Sequence, residues 1–97
     1  MKLIFEWDEK KAKSNFQKHH IHFDEGKTIF SDPLLLTYPD ESHSYKEERF
    51  ISLGYSYQNR ILLAVHTEHQ ETENSVIVRI ISCRKATHSE REFYEEY

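Results

Sequence analysis

Residues 78–91, Val-Arg-Ile-Ile-Ser-Cys-Arg-Lys-Ala-Thr-His-Ser-Glu-Arg, constrain the fold more than any other stretch of the chain. The apolar, β-branched run at 76–82 reads as a strand, with Arg79 inside it and Arg84 just past its end. Thr87-x-x-Glu90 then has the pattern of a capping box, in which hydroxyl and carboxylate satisfy each other's backbone amides at a helix start. Arginine is costly to desolvate unless paired, so both guanidinium groups need partners. Two planar donor forks near one strand end match the oxygens of a phosphate. Local carboxylates, plentiful in this chain, would serve equally well. Arg79 and Arg84 also differ by an odd number of positions, which in a regular strand turns them to opposite faces. They reach one pocket only if the strand ends near Ser82 and the chain bends before Arg84.

Upstream, residues 2–7 are rich in aromatic and branched side chains and read as a short strand. Asp8 is a suitable N-cap for a helix over 9–19, with Ala12, Phe16 and His19 along one face and Asn15 beside it. Phe23 before Asp24 suggests a second helix running through Ile29 and Phe30 and stopping before Pro33, with Gly26 an awkward interior residue. Strand-like runs follow at 34–38, 49–57 and 60–67. A polar turn at 39–46 separates the first two, and Gln58-Asn59 makes a hairpin-length link between the others. A polar loop at 70–75 precedes the strand at 76–82, and the capped last helix carries Phe93, Tyr94 and Tyr97. The order is βααββββα, and short links between successive strands favour an antiparallel sheet with segregated helices, an α+β fold.

Ninety-seven residues form one domain, 1–97, with room for a single core. No apolar run is long enough to span a bilayer, no export signal is visible, and Cys83 alone cannot build a disulfide framework, so a cytoplasmic location is expected. A net charge of −4 argues against a general nucleic-acid binder, because phosphate contacts need cations. The distribution points the other way. Lys10, Lys11, Lys13 and Lys18 share residues 10–22 with three histidines and no acid, while the acids gather elsewhere.

Lys18 and His19 end the first helix, where cations suit the dipole. They would equally suit a phosphate contact and a proton carrier. Glu48 is a candidate general base or an arginine's partner, and strand alternation lets only one of Glu48 and Arg49 face a cleft unless the strand begins at Arg49. His66 and His69 match no zinc spacing, and Cys83 reads as a small buried hydrophobe. No phosphate-binding glycine loop or nucleophile elbow is present.

Phe5-x-Trp7-Asp8-x-x-Lys11, Asn15-x-x-Lys18-His19, Phe23, Phe30-x-Asp32-Pro33, Glu48-Arg49, Gly54, Arg79-Ile80-Ile81-Ser82-Cys83-Arg84-x-Ala86 and Glu90-Arg91-x-x-Tyr94-Glu95 occur in an order that resembles the BrnT toxins of bacterial type II toxin–antitoxin systems. The resemblance implies a RelE-like α+β fold and a metal-independent endoribonuclease, without cofactor, that inhibits translation and growth. It also implies a BrnA-like ribbon-helix-helix antitoxin that neutralises the toxin and contacts operator DNA. The site residues it implies are Lys18, His19, Glu48, Arg49, Arg79 and Arg84. Where the family usually has Thr-x-Arg, this chain has Thr67-Glu68-His69, so His69 stands in for an arginine as a phosphate donor or acid. The alternative is a catalytically degenerate homologue that survives as an antitoxin-binding subunit in operon autoregulation.

Overall fold

The computed structural model describes residues 1–43 and 46–96. Ser44 and Tyr45 of the expected polar turn, and Tyr97 of the last helix's apolar stripe, lie outside the described residues. β1 (Lys2–Glu6) leads into α1 (Glu9–His19). Asp8 caps α1 as expected, its carboxylate accepting from the amides of Lys10 at 2.8 Å and Lys11 at 3.3 Å. The helix stops at His20, which takes a left-handed φ of 59°.

The expected second helix is two pieces, α2 (Phe23–Gly26) and a 3-10 turn over Lys27–Ser31. Gly26 sits there because a Cβ would lie 2.8 Å from the Cys83 sulfur, so α2 could not approach the sheet so closely with any other residue. β2 (Leu36–Pro39), a short 3-10 turn at Glu41–His43, β3 (Phe50–Tyr55), β4 (Ile61–Thr72), β5 (Ser75–Lys85) and α3 (His88–Glu96) complete the chain.

β2 to β5 form an antiparallel meander, in the expected order βααββββα. The sheet as a whole is mixed rather than antiparallel, because β1 pairs with β5 in parallel, giving the strand order β1-β5-β4-β3-β2. α1 and α2 carry the chain across one face to the far edge, which leaves β1 beside β5 and pointing the same way. The expected loop at 70–75 shrinks to a two-residue turn, since β4 and β5 run on as a ribbon as far as Thr72 and Ser75. Polar residues are at home in the ribbon's β4 arm, which is exposed from Glu68 onward, while the β5 arm lies against β1. The β3–β4 link is five residues, 56–60, narrowed to three by a bond from Ser56 N–H to Arg60 O at 2.9 Å, and Asn59 supplies the left-handed φ of 59° that glycine usually fills.

The sheet has two unequal faces. On the face covered by α1, α2 and the 3-10 turn, Ile21, Phe23 and Ile29 pack with Leu62, Ala64, Ile80 and Cys83 of the sheet, all fully or nearly fully buried. The other face carries Leu53, Ile61, Leu63 and Tyr94, with Tyr38, Ile51 and Val65 only partly covered. Among the described residues α3 is the only α-helix on that side, and its nine residues are too few to roof the sheet. Asp32 anchors it: its carboxylate accepts from the Tyr94 hydroxyl, from Tyr55 N–H at 2.8 Å and from Leu34 N–H at 2.9 Å. Phe16, expected on the core stripe of α1, is instead half-exposed and stacks on His22, with ring centroids 4.0 Å apart. Asn15 is the buried residue of that helix. Among the described residues, no helix is long and apolar enough to cross a membrane.

Candidate active site

The unroofed face holds the site, and a bulge in β5 decides what points into it. Val65 pairs with Ser82 and His66 with Ile80, so Ile81 is an extra residue in the ladder. Ile80 and Cys83 consequently share the helix-covered face although three positions separate them. By the same count, Arg79 and Arg84 come to one face. The bend expected between Ser82 and Arg84 does not occur, because β5 continues to Lys85 and the parity changes earlier, at Ile81.

Sharing a face is not sharing a pocket. Arg79 pairs with Glu6 on the neighbouring strand at 3.0 Å, both side chains nearly half exposed, while Arg84 lies about 13–16 Å further along β5 by strand rise alone. The two arginines do not meet at one phosphate.

Asn15 brings the end of α1 to Arg84. β1 pairs β5 only as far as Arg79, so Cys83, which faces Ala64 of β4 on one side, has no strand on its other side. The buried Asn15 amide takes that place: Nδ2 donates to Cys83 O at 2.8 Å, and Oδ1 accepts from Cys83 N–H at 3.0 Å. Nδ2 also donates to Ile21 O at 3.1 Å, fixing the chain where it leaves α1. A helix turn later come Lys18 and His19, now next to the residue after Cys83.

The resulting cleft, of about 450 Å³, is lined by Lys18, His19, Tyr38, Asp40, Arg49, Arg84 and Glu90 over an apolar floor of Ile51, Leu63, Val65 and Ile81. Glu90 grips Arg84 with two bonds, of 2.8 and 3.0 Å, and accepts the Thr87 amide at 2.8 Å. The Thr87 hydroxyl accepts from Glu90 N–H at 3.2 Å, which completes the expected capping box. That carboxylate therefore fixes both the start of α3 and the aim of Arg84, and the Arg84 fork holds it below the usual carboxylate range.

Burial, the Lys18 ammonium and the Arg84 guanidinium all depress the pKa of His19, so its imidazole is neutral at pH 7 and able to accept a proton. Burial and the nearby carboxylates of Glu90 and Asp40 raise the Tyr38 hydroxyl and keep it protonated. A neutral imidazole, a protonated phenol and cations on one rim are the groups an acid–base reaction at a phosphate ester requires.

Of the residues expected to act, Lys18, His19, Arg49 and Arg84 converge on the cleft. Glu48 does not line it. β3 begins at Phe50, so the Glu48-Arg49 pair lies just ahead of the strand, and Arg49 is the member that turns inward while Glu48 faces solvent. His69 pairs with Ile77 far out on the exposed ribbon, away from the cleft. Tyr38 and Asp40 line the cleft without having been singled out from the sequence. Tyr38 shares a face with Leu36 by alternation, which is the one signal that could have marked it. Cys83 is fully buried, and burial pushes its thiol up to about 12, as suits an inert core residue.

Residues 7–90 match the model of the family described as the ribonuclease toxin, BrnT, of type II toxin–antitoxin system. The chain belongs to the BrnT toxin family. The 1.1 Å crystal structure of the Brucella abortus ribonuclease toxin, BrnT, aligns with 91% of this chain and 100% of its own, at a TM-score of 0.61 and 21% identity. At that identity the likeness speaks for the BrnT fold. No curated protein matches the chain. Membership makes this chain one of a family of ribonuclease toxins, and a type II system supplies an antitoxin partner.

Proposed function

We propose that this BrnT-family chain is a metal-independent endoribonuclease that arrests translation and growth, and that the cleft containing Lys18, His19, Arg49 and Arg84 is where RNA is cut. One observation carries the reading: a histidine kept neutral by burial and by two adjoining cations, Lys18 and Arg84, in a cleft that Arg49 also lines. His19 accepts the proton of a ribose 2′-hydroxyl, the oxygen attacks the adjacent phosphorus, and the 5′-oxygen leaves with a proton returned by the imidazolium. Lys18, Arg49 and Arg84 stabilise the charge that grows on the phosphoryl oxygens, the task a metal ion performs elsewhere. Glu48, His69 and Arg79 fall outside this scheme. The partner we propose is a BrnA-like ribbon-helix-helix antitoxin, through which alone the complex reaches DNA.

Cleavage by the purified toxin is expected to persist in EDTA and to leave 2′,3′-cyclic phosphate ends. Loss of activity in EDTA with recovery on adding a divalent metal would rule out the metal-free scheme. Expression without the antitoxin should halt growth, whereas harmless accumulation would favour an antitoxin-binding subunit.

The pH profile tests His19 directly. Because its folded pKa lies below 6.5, the acid limb of kcat/KM should have its midpoint below 6.5. Lys18→Met removes one of the charges that lower it, so the midpoint should move up toward 6.5, whatever happens to the plateau. A midpoint that stays put would separate His19 from the rate.

A further inference from the structure

Beside the cleft, sharing Lys18, His19 and Arg84 with it, lies a second hollow of about 470 Å³. It wraps the end of β5 toward the opposite face, because Arg84 and Lys85 are consecutive strand residues and point to opposite sides. Lys18, Arg60, Arg84 and Lys85 line it together with His20, and no carboxylate does. In an acidic protein this concentration of positive charge is a departure from the mean. The cleft, by contrast, contains Asp40 and Glu90.

The cations of the hollow are held in two ways. Arg60 is fixed by the buried Glu25, which accepts from its Nε at 2.7 Å and from one terminal nitrogen at 2.5 Å. That grip leaves three of the five guanidinium protons to point elsewhere. Lys18 and Lys85 are exposed and have no ion-pair partner among the described residues, so they carry the uncompensated charge. A pre-aimed guanidinium flanked by two exposed ammonium groups, next to the proposed cleavage cleft, suits a second phosphate of the same strand.

We propose that this hollow binds the RNA phosphodiester adjacent to the scissile one, so that the backbone passes from the cleft round the end of β5 and across Lys85. The inference rests on the ribonuclease reading given above and adds a flanking subsite to it.

Binding of a 2′-O-methyl trinucleotide, which cannot be cut, tests the subsite apart from cleavage. Lys85→Ala should flatten the dependence of log affinity on log salt by about 0.7, the loss of one single-strand phosphate contact, and Lys85→Arg should restore it. An unchanged slope overturns the subsite. Cleavage gives the second arm. Of two trinucleotides, extended on the 5′ or the 3′ side of the same dinucleotide, one should exceed the dinucleotide in kcat/KM by about fivefold, and Lys85→Ala should erase that ratio. Equal rates for all three in the wild type, or a ratio untouched by Lys85→Ala, would also overturn it. A wild type that binds with the full salt slope yet cuts no RNA would instead sink the ribonuclease reading and leave the phosphate subsite standing.

Discussion

Arg84→Ala should lower kcat for RNA cleavage by roughly 10²–10³, the roughly 2.7–4 kcal/mol that one oriented donor to a developing oxyanion contributes. The expectation rests on the grip of Glu90. A guanidinium held by two bonds to a carboxylate that itself caps α3 is aimed before substrate arrives, so its removal forfeits preorganisation as well as charge. The fold should survive. Both partners are about a quarter to a third exposed, and Glu90 keeps its bond to Thr87, so unfolding should become easier by only about 1 kcal/mol. Arg84→Lys should recover part of the charge and little of the rate, because an ammonium cannot reproduce the fork. Arg79→Ala is the matched control, since that arginine engages Glu6 well along the ribbon and should retain cleavage within about tenfold. Arg84→Ala within tenfold of the wild type, in a chain that unfolds normally, would remove Arg84 from the chemistry.

The second large effect is on stability and comes from the other face of the sheet. His66 is fully buried between Phe30 and Phe50, with Nε2 2.7 Å from the Ser52 hydroxyl, which lies 2.7 Å from that of Thr37. Burial pushes its pKa down to about 4 from an ordinary 6.5. The folded state thus resists a proton that the unfolded chain accepts. Stability is complete above pH 6.5, falls as the pH drops from 6.5 to 4, and loses nothing more from this group below that. The total is about 3 kcal/mol, a large part of a small domain's margin. Urea unfolding of the wild type and of His66→Gln at pH 7 and pH 4 isolates the term, because carboxylate titration is common to both proteins. The glutamine variant should be less stable at pH 7 and show the smaller loss on acidification. Equal losses would mean that His66 takes up its proton without cost.

Much of the local structure was legible from the chain because it depends on neighbours a few residues apart. Asp8 before Lys10 and Lys11, and Thr87 three residues before Glu90, announce their helices through short-range hydrogen bonds that the spacing alone predicts. The site was half legible for the same reason. Lys18 and His19 are adjacent in sequence and arrive together, whereas their approach to Arg84 depends on Asn15 and Cys83, 68 positions apart. The bulge at Ile81 was hidden because it belongs to a pairing of β4 with β5, and nothing in β5 alone says which residue is left over. The parallel seat of β1 was hidden likewise: strand direction follows from where the helices carry the chain, not from which residues the strand contains.

The Asn15 amide has a consequence for how other chains can approach. Beyond Arg79, β5 would offer an open backbone edge, the kind of surface to which a foreign strand adds. A side chain that donates to and accepts from Cys83 fills the slot a visiting backbone would occupy. Strand addition next to Lys18, His19 and Arg84 is thereby foreclosed, and a partner that extends the sheet must do so along β1, along β2, or on the outer edge of β4 past His66, where β3 no longer runs.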